Sequence, residues 1–294
     1  MSRVCAIVVT FHPGSEVWDN LAAIRRQVDR VIVVDNTADP VCTARLQALS
    51  PDGGYELILN PENRGIAAAL NAGAARAIAK GYEWLATFDQ DSRVPEGFIA
   101  TLFAQLAEFP ERDRVAIVSP LYVDIHLGTV SSPSGPLRAP SNDAVPVSVT
   151  ASSGNLVRAR AFEALGGLRE DFFIDCVDFE FCLRARRAGW LVLEARKARL
   201  EHAQGRAERR RFLWRHPVVN DYPAERRYYQ ARNRLILIAR YGTFDPRWIS
   251  RDAFGYLCDT VKMVLFASGR LKKVGAMLLG ATHAVTGRRG RYAR

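Results

Sequence analysis

Trp84-Leu85-Ala86-Thr87-Phe88-Asp89-Gln90-Asp91-Ser92 is a short apolar run that stops in two carboxylates. Trp84–Phe88 reads as a buried strand, and Asp89-Gln90-Asp91 as the loop at its carboxyl end. The same rhythm extends outward on both sides. Upstream, the β-branched run Val4–Thr10 is a strand, and Ser15–Val28 is a helix with Leu21, Ile24 and Val28 on one face. Val31–Val34 is a strand closed by Asp35-Asn36, and Pro40–Leu49 a short helix stopped by Pro51-Asp52-Gly53-Gly54. Tyr55–Leu59 is a strand, and the Ala-rich Ile66–Lys80 a helix that closes at Gly81. Downstream, Pro95 opens a helix through Leu106, and Val115–Val118 is a strand. This alternation predicts an α/β fold with a doubly wound, mostly parallel sheet. Such sheets bind ligands at the carboxyl ends of their strands. Polar residues gather at those ends: Thr10 and His12, Asp35 and Asn36, Asn60 and Asn63, Asp89 and Asp91.

Beyond Val118 the pattern changes. Residues 119–150 carry Pro120, Gly128, Pro133, Gly135, Pro136, Pro140 and Pro146, which predicts short β-ribbons and loops. Ser152-Ser153-Gly154-Asn155 is a polar turn, and Val177–Ala188 a helix. Trp190–Leu193 and Lys197–Leu200 read as two short strands, and 205–222 as a long Arg-rich loop. Ala224–Arg240, Arg247–Ser268 and Leu271–Val285 are helices.

Composition sets the outer limits. The chain has 294 residues, 48% hydrophobic and 24% charged, which excludes a disordered tail, a collagen-like fibre and a multi-span channel. Its cysteines, Cys5, Cys42, Cys176, Cys182 and Cys258, are odd in number and scattered, so reduced thiols are expected rather than a disulfide framework or a zinc knuckle. The apolar start Val4–Phe11 runs into Pro13 and reads as a strand rather than a targeting segment. No window reaches about 18 uninterrupted apolar residues, so no bilayer span is expected. The net charge of +10 is unevenly spread. Residues 1–183 hold 15 Lys and Arg against 23 Asp and Glu, and residues 184–294 hold 26 against 8. An acidic body is joined to a strongly basic C-terminal third.

Three stretches carry chemistry. Asp89 and Asp91 can present oxygens to one hard cation, Mg²⁺ or Mn²⁺, which takes its other ligands from water and phosphate. In Asn63-Arg64-Gly65-Ile66-Ala67-Ala68-Ala69-Leu70-Asn71-Ala72-Gly73, the small residues fit close helix–sheet packing. Asn63 and Asn71 fit either packing or a bound nucleotide at the helix start. Phe172–Arg184 sets three acids in an apolar stretch. Glu180 and Arg184, four apart, suit a surface pair. Asp178 suits either a first-turn acid or a general base. His202 alone reads as structural more readily than as a ligand. Neither G-x-G-x-x-G nor G-x-x-x-x-G-K-[ST] occurs, which argues against a nicotinamide enzyme and a P-loop NTPase.

Taken in order, these pieces resemble an inverting family 2 glycosyltransferase of the GT-A fold. The matching residues are the Val-Val-Thr-Phe strand end, Val34-Asp35-Asn36, Asn63/Gly65/Asn71/Gly73, Asp89-Gln90-Asp91, Ser153-Gly154-Asn155, Gly166-Gly167-Leu168, and Phe173-Ile174-Asp175 through Arg184. Arg226–Arg234 (RRYYQARNR) is similar to a segment of bacterial rhamnosyltransferases. The resemblance implies a Rossmann-like nucleotide-binding half with a mixed central sheet over residues 1–241, followed by basic amphipathic helices over 242–294. It implies that Thr10, Phe11, Asp35, Asn63, Asn71, Asp89 and Gln90 line the nucleotide sugar. It implies that Asp91 and His202 hold Mg²⁺ or Mn²⁺, and that Asp178 is the catalytic base. Gly154, Asn155, Asp175 and Glu180 fall to the donor or acceptor sugar. The family often places Glu before the base, and here that position is Val177, so Asp175 and Glu180 stay in contention for the role.

The implied reaction is transfer of a sugar, L-rhamnose from dTDP-L-rhamnose, to a glycan or polyprenyl-diphosphate-linked acceptor in cell-surface polysaccharide synthesis. The alternatives are another nucleotide sugar, or a non-catalytic protein that binds nucleotide sugars or nucleic acid. No Q-x-x-R-W motif accompanies the set, which disfavours a processive synthase. In the basic third, Arg206, Arg209, Arg210, Arg211 and Arg215 cluster in the loop. Leu257, Val261, Val264, Leu265, Leu271, Val274 and Leu278 line helix faces flanked by Lys262, Arg270, Lys272, Lys273, Arg288, Arg289, Arg291 and Arg294. That pattern suits a cytoplasmic protein touching the anionic inner membrane leaflet, or a homodimer interface; no nucleic-acid motif accompanies the charge.

Overall fold

The computed structural model describes residues 3–48, 55–124, 128–136, 143–202, 207–209 and 218–292. Pro51–Gly54, Pro140, Arg206, Arg210, Arg211, Arg215 and Arg294, singled out above, lie outside the described residues. The chain forms two compact units, Met1–Glu170 with Asp178–Ala203, and Asp171–Val177 with Gln204–Arg294.

The first unit opens with β1 (Val4–Thr10), α1 (Val17–Arg25), β2 (Arg30–Asp35), α2 (Pro40–Gln47), β3 (Tyr55–Leu59), α3 (Gly65–Ala79), β4 (Trp84–Asp89), α4 (Phe98–Glu108) and β5 (Val115–Asp124). Their order and kind follow the hydrophobic periodicity. Local chemistry sets the boundaries. Pro40 occupies the first turn of α2, and the Asp39 carboxylate accepts the Cys42 N–H at 2.9 Å to cap it. α3 lies directly on the sheet, because a Cβ on Gly73 would stand 2.4 Å from Ile7 Cγ2. The small residues of α3 therefore serve helix–sheet packing. The core is built from Ala6, Val8, Val31, Val33, Ala86, Phe88, Phe98 and Leu102, all buried.

The strands run β3-β2-β1-β4-β8-β5-β9-β7 across one sheet, with β6 (Val130–Ser131) beside β5 and β7 (Val145–Pro146) at the edge. β3, β2, β1 and β4 are parallel, with Thr10 beside Asp35 and Val9 beside Asp89. From β1 the chain winds first towards β3 and then to β4, so the switch point falls between β1 and β4.

Two departures from the expected elements matter. β8 (Asn155–Arg158) and α5 (Ala159–Ala164) were not foreseen. β8 inserts antiparallel between β4 and β5, pairing Thr87 with Asn155 and Ile117 with Val157. Four residues are too few to show a period. Trp190–Leu193 and Lys197–Leu200 belong to a single strand, β9 (Leu191–His202), which follows α6 (Val177–Arg187). β9 is parallel to β5, and its register jumps where Pro120 meets Ala195 and Leu121 meets Arg199. Proline has no N–H to give the ladder. The bulged Lys197 N–H goes instead to Gln105 Oε1 at 2.7 Å.

The second unit holds α7 (Ala224–Tyr241), α8 (Pro246–Phe266), α9 (Arg270–Thr286) and a hairpin of β10 (Ala207–Arg209) and β11 (Val218–Asn220). α7 and α9 meet at Gly280, where a Cβ would come 2.4 Å from the Tyr228 carbonyl. α7 thus groups with the C-terminal helices. Among the described residues, no helix is long and apolar enough to cross a membrane.

All five cysteines are free thiols. Burial pushes Cys5 up to about 12, with Glu56 acting in the same direction. Burial also pushes Cys182 up to about 12, and there the Asp178 carboxylate adds to it. Both should resist a thiol reagent at pH 8 until denaturant is added, which mass spectrometry of labelled peptides reads directly. A raised thiol stabilises the fold below its unfolded value of 9.0. That contribution is lost as pH climbs towards 12. Rapid native labelling at Cys182 would contradict this packing.

Candidate active site

The switch point is tied together by side chains from three strand ends. Asp35, 1% exposed, accepts the Thr10 hydroxyl at 2.7 Å, the Thr37 hydroxyl at 2.8 Å and the Thr37 N–H at 3.2 Å. The Phe11 N–H donates to Gln90 Oε1 at 2.7 Å, and Asn20 donates to the Gln90 carbonyl at 3.0 Å. The loop after β1 is therefore fastened to the loops after β2 and β4. It leaves the Phe11 ring 45% exposed at the mouth, edge-on to His12 at 4.4 Å. An exposed aromatic beside a buried acid is a surface on which a planar base can stack.

Asp89 and Asp91, both half-buried, occupy the turn after β4. The turn is held from the side of Ser153-Gly154-Asn155. Ser153 Oγ accepts the Asp89 N–H at 3.1 Å and bonds to the buried Ser92 hydroxyl. The Gly154 N–H donates to the Thr87 carbonyl at 2.7 Å. Gly154 has φ +78°, and a Cβ there would lie 2.8 Å from Leu200. No other residue fits that seat without strain. Asn155 donates to the Ala151 carbonyl at 2.7 Å, while its own buried carbonyl oxygen has no partner among the described residues. On the other side, the Arg93 N–H donates to the Glu201 carbonyl at 3.1 Å. That bridge brings the backbone before His202 to within two residues of Asp91; the His202 side chain is outside the described residues.

Behind the turn stands Tyr122. It is fully buried, and its hydroxyl bonds to the Ala151 and Ser153 carbonyls at 3.0 and 2.9 Å. Burial holds this hydroxyl neutral far above the usual tyrosine range, and the Asp178 and Asp89 carboxylates push it the same way. Tyr122 thus braces this turn from within the core. Its signal in the sequence was the continued apolar run past Pro120, which the proline had masked.

The acids after residue 170 separate clearly. Asp178 is half-buried in the first turn of α6, accepts the Phe179 N–H at 2.9 Å and has the helix dipole behind it. Glu180 pairs with Arg184 at 2.9 Å, as its spacing implies, but it is 1% exposed and not at the surface. Arg184 carries on to the Gly167 carbonyl at 2.7 Å, so this pair braces the turn at 165–167. Asp175 belongs to the second unit, where Arg226 holds it at 3.2 Å.

The two asparagines left open both make structural bonds. Asn63 accepts the Gly65 N–H at 2.9 Å and starts α3. Asn71 accepts the Leu168 N–H at 2.8 Å and donates to the Leu168 carbonyl at 2.9 Å and to Glu170 at 3.0 Å. It pins Gly167-Leu168 to α3 as a backbone amide would.

The Asp89/Asp91 donor set is hard oxygen, and among the described residues no three or more His, Cys, Asp and Glu gather at one point. Such a set fits a cation that keeps several non-protein ligands.

Residues 5–158, more than half of the chain, match the profile of glycosyl transferase family 2. The chain belongs to that family. The dTDP-rhamnosyl transferase RfbF of Shigella flexneri is 29% identical over 260 residues, covering 81% of each chain. The fold is similar to that of GalNAc-T7 with UDP, GalNAc and Mn²⁺ (TM-score 0.60, 15% identity, 81% of this chain), of which the glycosyltransferase spans 48%. It is also similar to the mannosyltransferase PcManGT of Pyrobaculum calidifontis with GDP-Man and Mn²⁺, at TM-score 0.55 and 16% identity over 97% of this chain and 88% of that one. S. aureus TarS aligns at TM-score 0.51 and 12% identity, over 81% of this chain and 40% of its own.

Gly154→Ala should lower stability by roughly 2–4 kcal/mol, adding overpacking to backbone strain. Gly97→Ala shares the positive φ but meets nothing within 4 Å, so it should cost about 1 kcal/mol. Thermal unfolding of the two variants checks the difference; equal losses would show that the Gly154 seat is not tight.

Proposed function

We propose that this family 2 glycosyltransferase moves L-rhamnose from dTDP-L-rhamnose to a glycan or lipid-linked glycan acceptor, with inversion, using Mg²⁺ or Mn²⁺. The observation that carries the reading is the Asp89-Gln90-Asp91 turn at the sheet's switch point, braced by Ser153 on one side and by the Arg93–Glu201 bridge on the other. The identity to the Shigella rhamnosyl transferase supports the donor sugar. The Mn²⁺ bound by GalNAc-T7 and PcManGT supports the metal.

In this reading the exposed Phe11 ring and the Thr10 and Thr37 hydroxyls, organised by Asp35, receive the nucleotide at the mouth of β1 and β2. Asp89 and Gln90 meet the ribose and diphosphate, and Asn63 and Asn71 shape the α3 side of the pocket. Asp91, with His202, would hold the cation. A cation held there would supply positive charge against the departing diphosphate. Gly154 and Asn155 form the floor under the sugar. Asp178 takes the proton of the attacking hydroxyl. The new bond forms from the hydroxyl oxygen to the anomeric carbon, and the old bond's electron pair leaves with the nucleoside diphosphate. The leaving group departs ionised, so one carboxylate base suffices.

Nucleotide release from a panel of nucleotide sugars, with and without Mn²⁺, tests the donor. dTDP-L-rhamnose should be turned over fastest, and Asp91→Ala should abolish the metal dependence. Asp178→Asn should lower turnover by about 10²–10⁴ while donor binding by calorimetry is retained. Near-normal turnover would remove Asp178 as the base, and failure of every nucleotide sugar to bind with metal would remove the enzyme reading.

We also propose that α8 and α9 rest on an anionic membrane surface. Phe254, Leu257, Val261, Val264 and Leu265 recur at helical spacing on α8 and are all exposed, as are Leu271, Leu278 and Val285 on α9. Arg251, Arg270 and Lys272 lie exposed on the same helices, and each basic residue near an anionic leaflet is worth about 1 kcal/mol. Val274 is half-buried and Lys273 is buried against Asp221, so these two face inward. The full chain should sediment with phosphatidylglycerol vesicles and not with phosphatidylcholine vesicles. Phe254→Asp with Leu257→Asp should abolish this. Undiminished binding by the variant, or a dimer in light scattering that the variant dissolves, would overturn the membrane assignment.

A further inference from the structure

The turn that leads into α6 is strained. Phe173, Asp175 and Cys176 have φ of +65°, +63° and +61°, although none is glycine. Each such residue costs of order 1 kcal/mol or more, so the surrounding structure must impose the shape. The imposing residues come from α7, in the middle of RRYYQARNR. Asn233, fully buried, donates its amide to the Phe172, Ile174 and Asp175 carbonyls at 3.1, 2.8 and 2.8 Å. Arg232, also fully buried, donates to the Asp171 and Phe172 carbonyls at 2.9 and 3.1 Å and to the Gly290 carbonyl at 2.7 Å. Its Nε–H donates to Asn233 Oδ1 at 3.0 Å, which orients the amide. The Tyr228 and Tyr229 rings lie 5.3 and 5.1 Å from its guanidinium, and Tyr229 stacks on Phe173 at 5.1 Å.

A buried guanidinium bound to carbonyl dipoles is an expensive device unless its geometry is used. Here the planar fork and the amide together take four carbonyls of one six-residue turn, Asp171–Cys176. That turn ends one residue before α6, whose first turn carries Asp178.

We propose that Arg232 and Asn233 are positioning residues that hold the Phe173–Cys176 turn in its left-handed path and thereby set the backbone from which Asp178 projects. They touch no substrate in this scheme. The inference rests on Asp178 as the base.

The test uses glycine as a strain release. Cys176→Gly lets position 176 adopt a positive φ at no steric cost, so the turn depends less on its clamp. Turnover is read as nucleotide release from dTDP-L-rhamnose with Mn²⁺ and water as acceptor, with donor binding measured by calorimetry. Asn233→Ala should lower kcat about 10- to 100-fold with donor affinity held within about threefold, since a displaced base costs rate rather than binding. In the Cys176→Gly background the same substitution should cost about threefold or less. If Asn233→Ala does not fold, Arg232→Lys, which keeps the charge and loses the fork, serves in its place with the same expected coupling. An equal cost of the α7 substitution in both backgrounds would overturn the proposal, as would wild-type kcat in a folded variant. Asp178→Asn run alongside separates the two claims. An inactive Asp178→Asn beside an unaffected Asn233→Ala defeats the clamp alone, whereas an active Asp178→Asn defeats the base assignment.

Discussion

The antiparallel insertion of β8 between β4 and β5 is the constraint on which the site depends. Four residues, Asn155–Arg158, separate two strands that a purely parallel sheet would have paired. The cost of that insertion is a tight turn before it, and the turn is what the chemistry uses. Ser153 and Gly154 can reach the Asp89 backbone and the Thr87 carbonyl only because β8 runs back along β4. Tyr122 can reach the same turn only because β5 continues on β8's other side. Remove β8 and Asp89 and Asp91 sit on an unsupported loop. With it, they sit on a strand end bonded from two directions.

The charge distribution takes on a different meaning in the structure. The excess of basic residues in the C-terminal third is not spread over one surface. Arg227 and Arg232 are wholly buried, Arg227 on Asp259 and Arg232 on carbonyls, and Arg234 pairs with Asp252 at 3.0 Å. These arginines are internal fasteners of the second unit. What remains at the surface of α8 and α9 is a smaller set, interleaved with exposed aliphatic side chains. Net charge alone would have overstated the electrostatic reach of this region and understated its amphipathic character.

How much of this was legible in the sequence depends on whether a feature is periodic. Val4–Thr10, Tyr55–Leu59 and the helix over Ala224–Arg240 were readable because a buried strand and an amphipathic helix repeat on scales that survive without neighbours. The switch-point acids Asp35, Asp89 and Asp91 were readable because they interrupt that pattern at strand ends. β8 was not, since four residues hold no period. The unity of β9 was not, since a proline on the neighbouring strand broke its ladder. Tyr122 was missed, and Ser153 was read only as part of a polar turn, for a related reason: their importance lies in which distant backbone groups they meet. Asn63 and Asn71 show the opposite limit. Their position pointed equally to ligand and to packing, and only the partners at Gly65 and Leu168 reveal the bonds they make.

The choice among the three acids near α6 also turns on partners rather than position. A general base must be able to exchange a proton during turnover, and a carboxylate spent on a guanidinium gains little from accepting one. Glu180 is enclosed with Arg184, which passes its remaining donors to backbone carbonyls, so protonating Glu180 would leave a charge buried in a structural brace. Asp175 faces Arg226, whose guanidinium also lies 4.4 Å from the Tyr222 ring, an arrangement that fixes the turn rather than a proton. Asp178 differs in its place: it stands half-buried in the first turn of α6, one turn before the buried Cys182. In the proposed reading, therefore, the two acids committed to Arg184 and Arg226 are set aside, and the base role falls to Asp178 although Val177 stands where the family often has Glu.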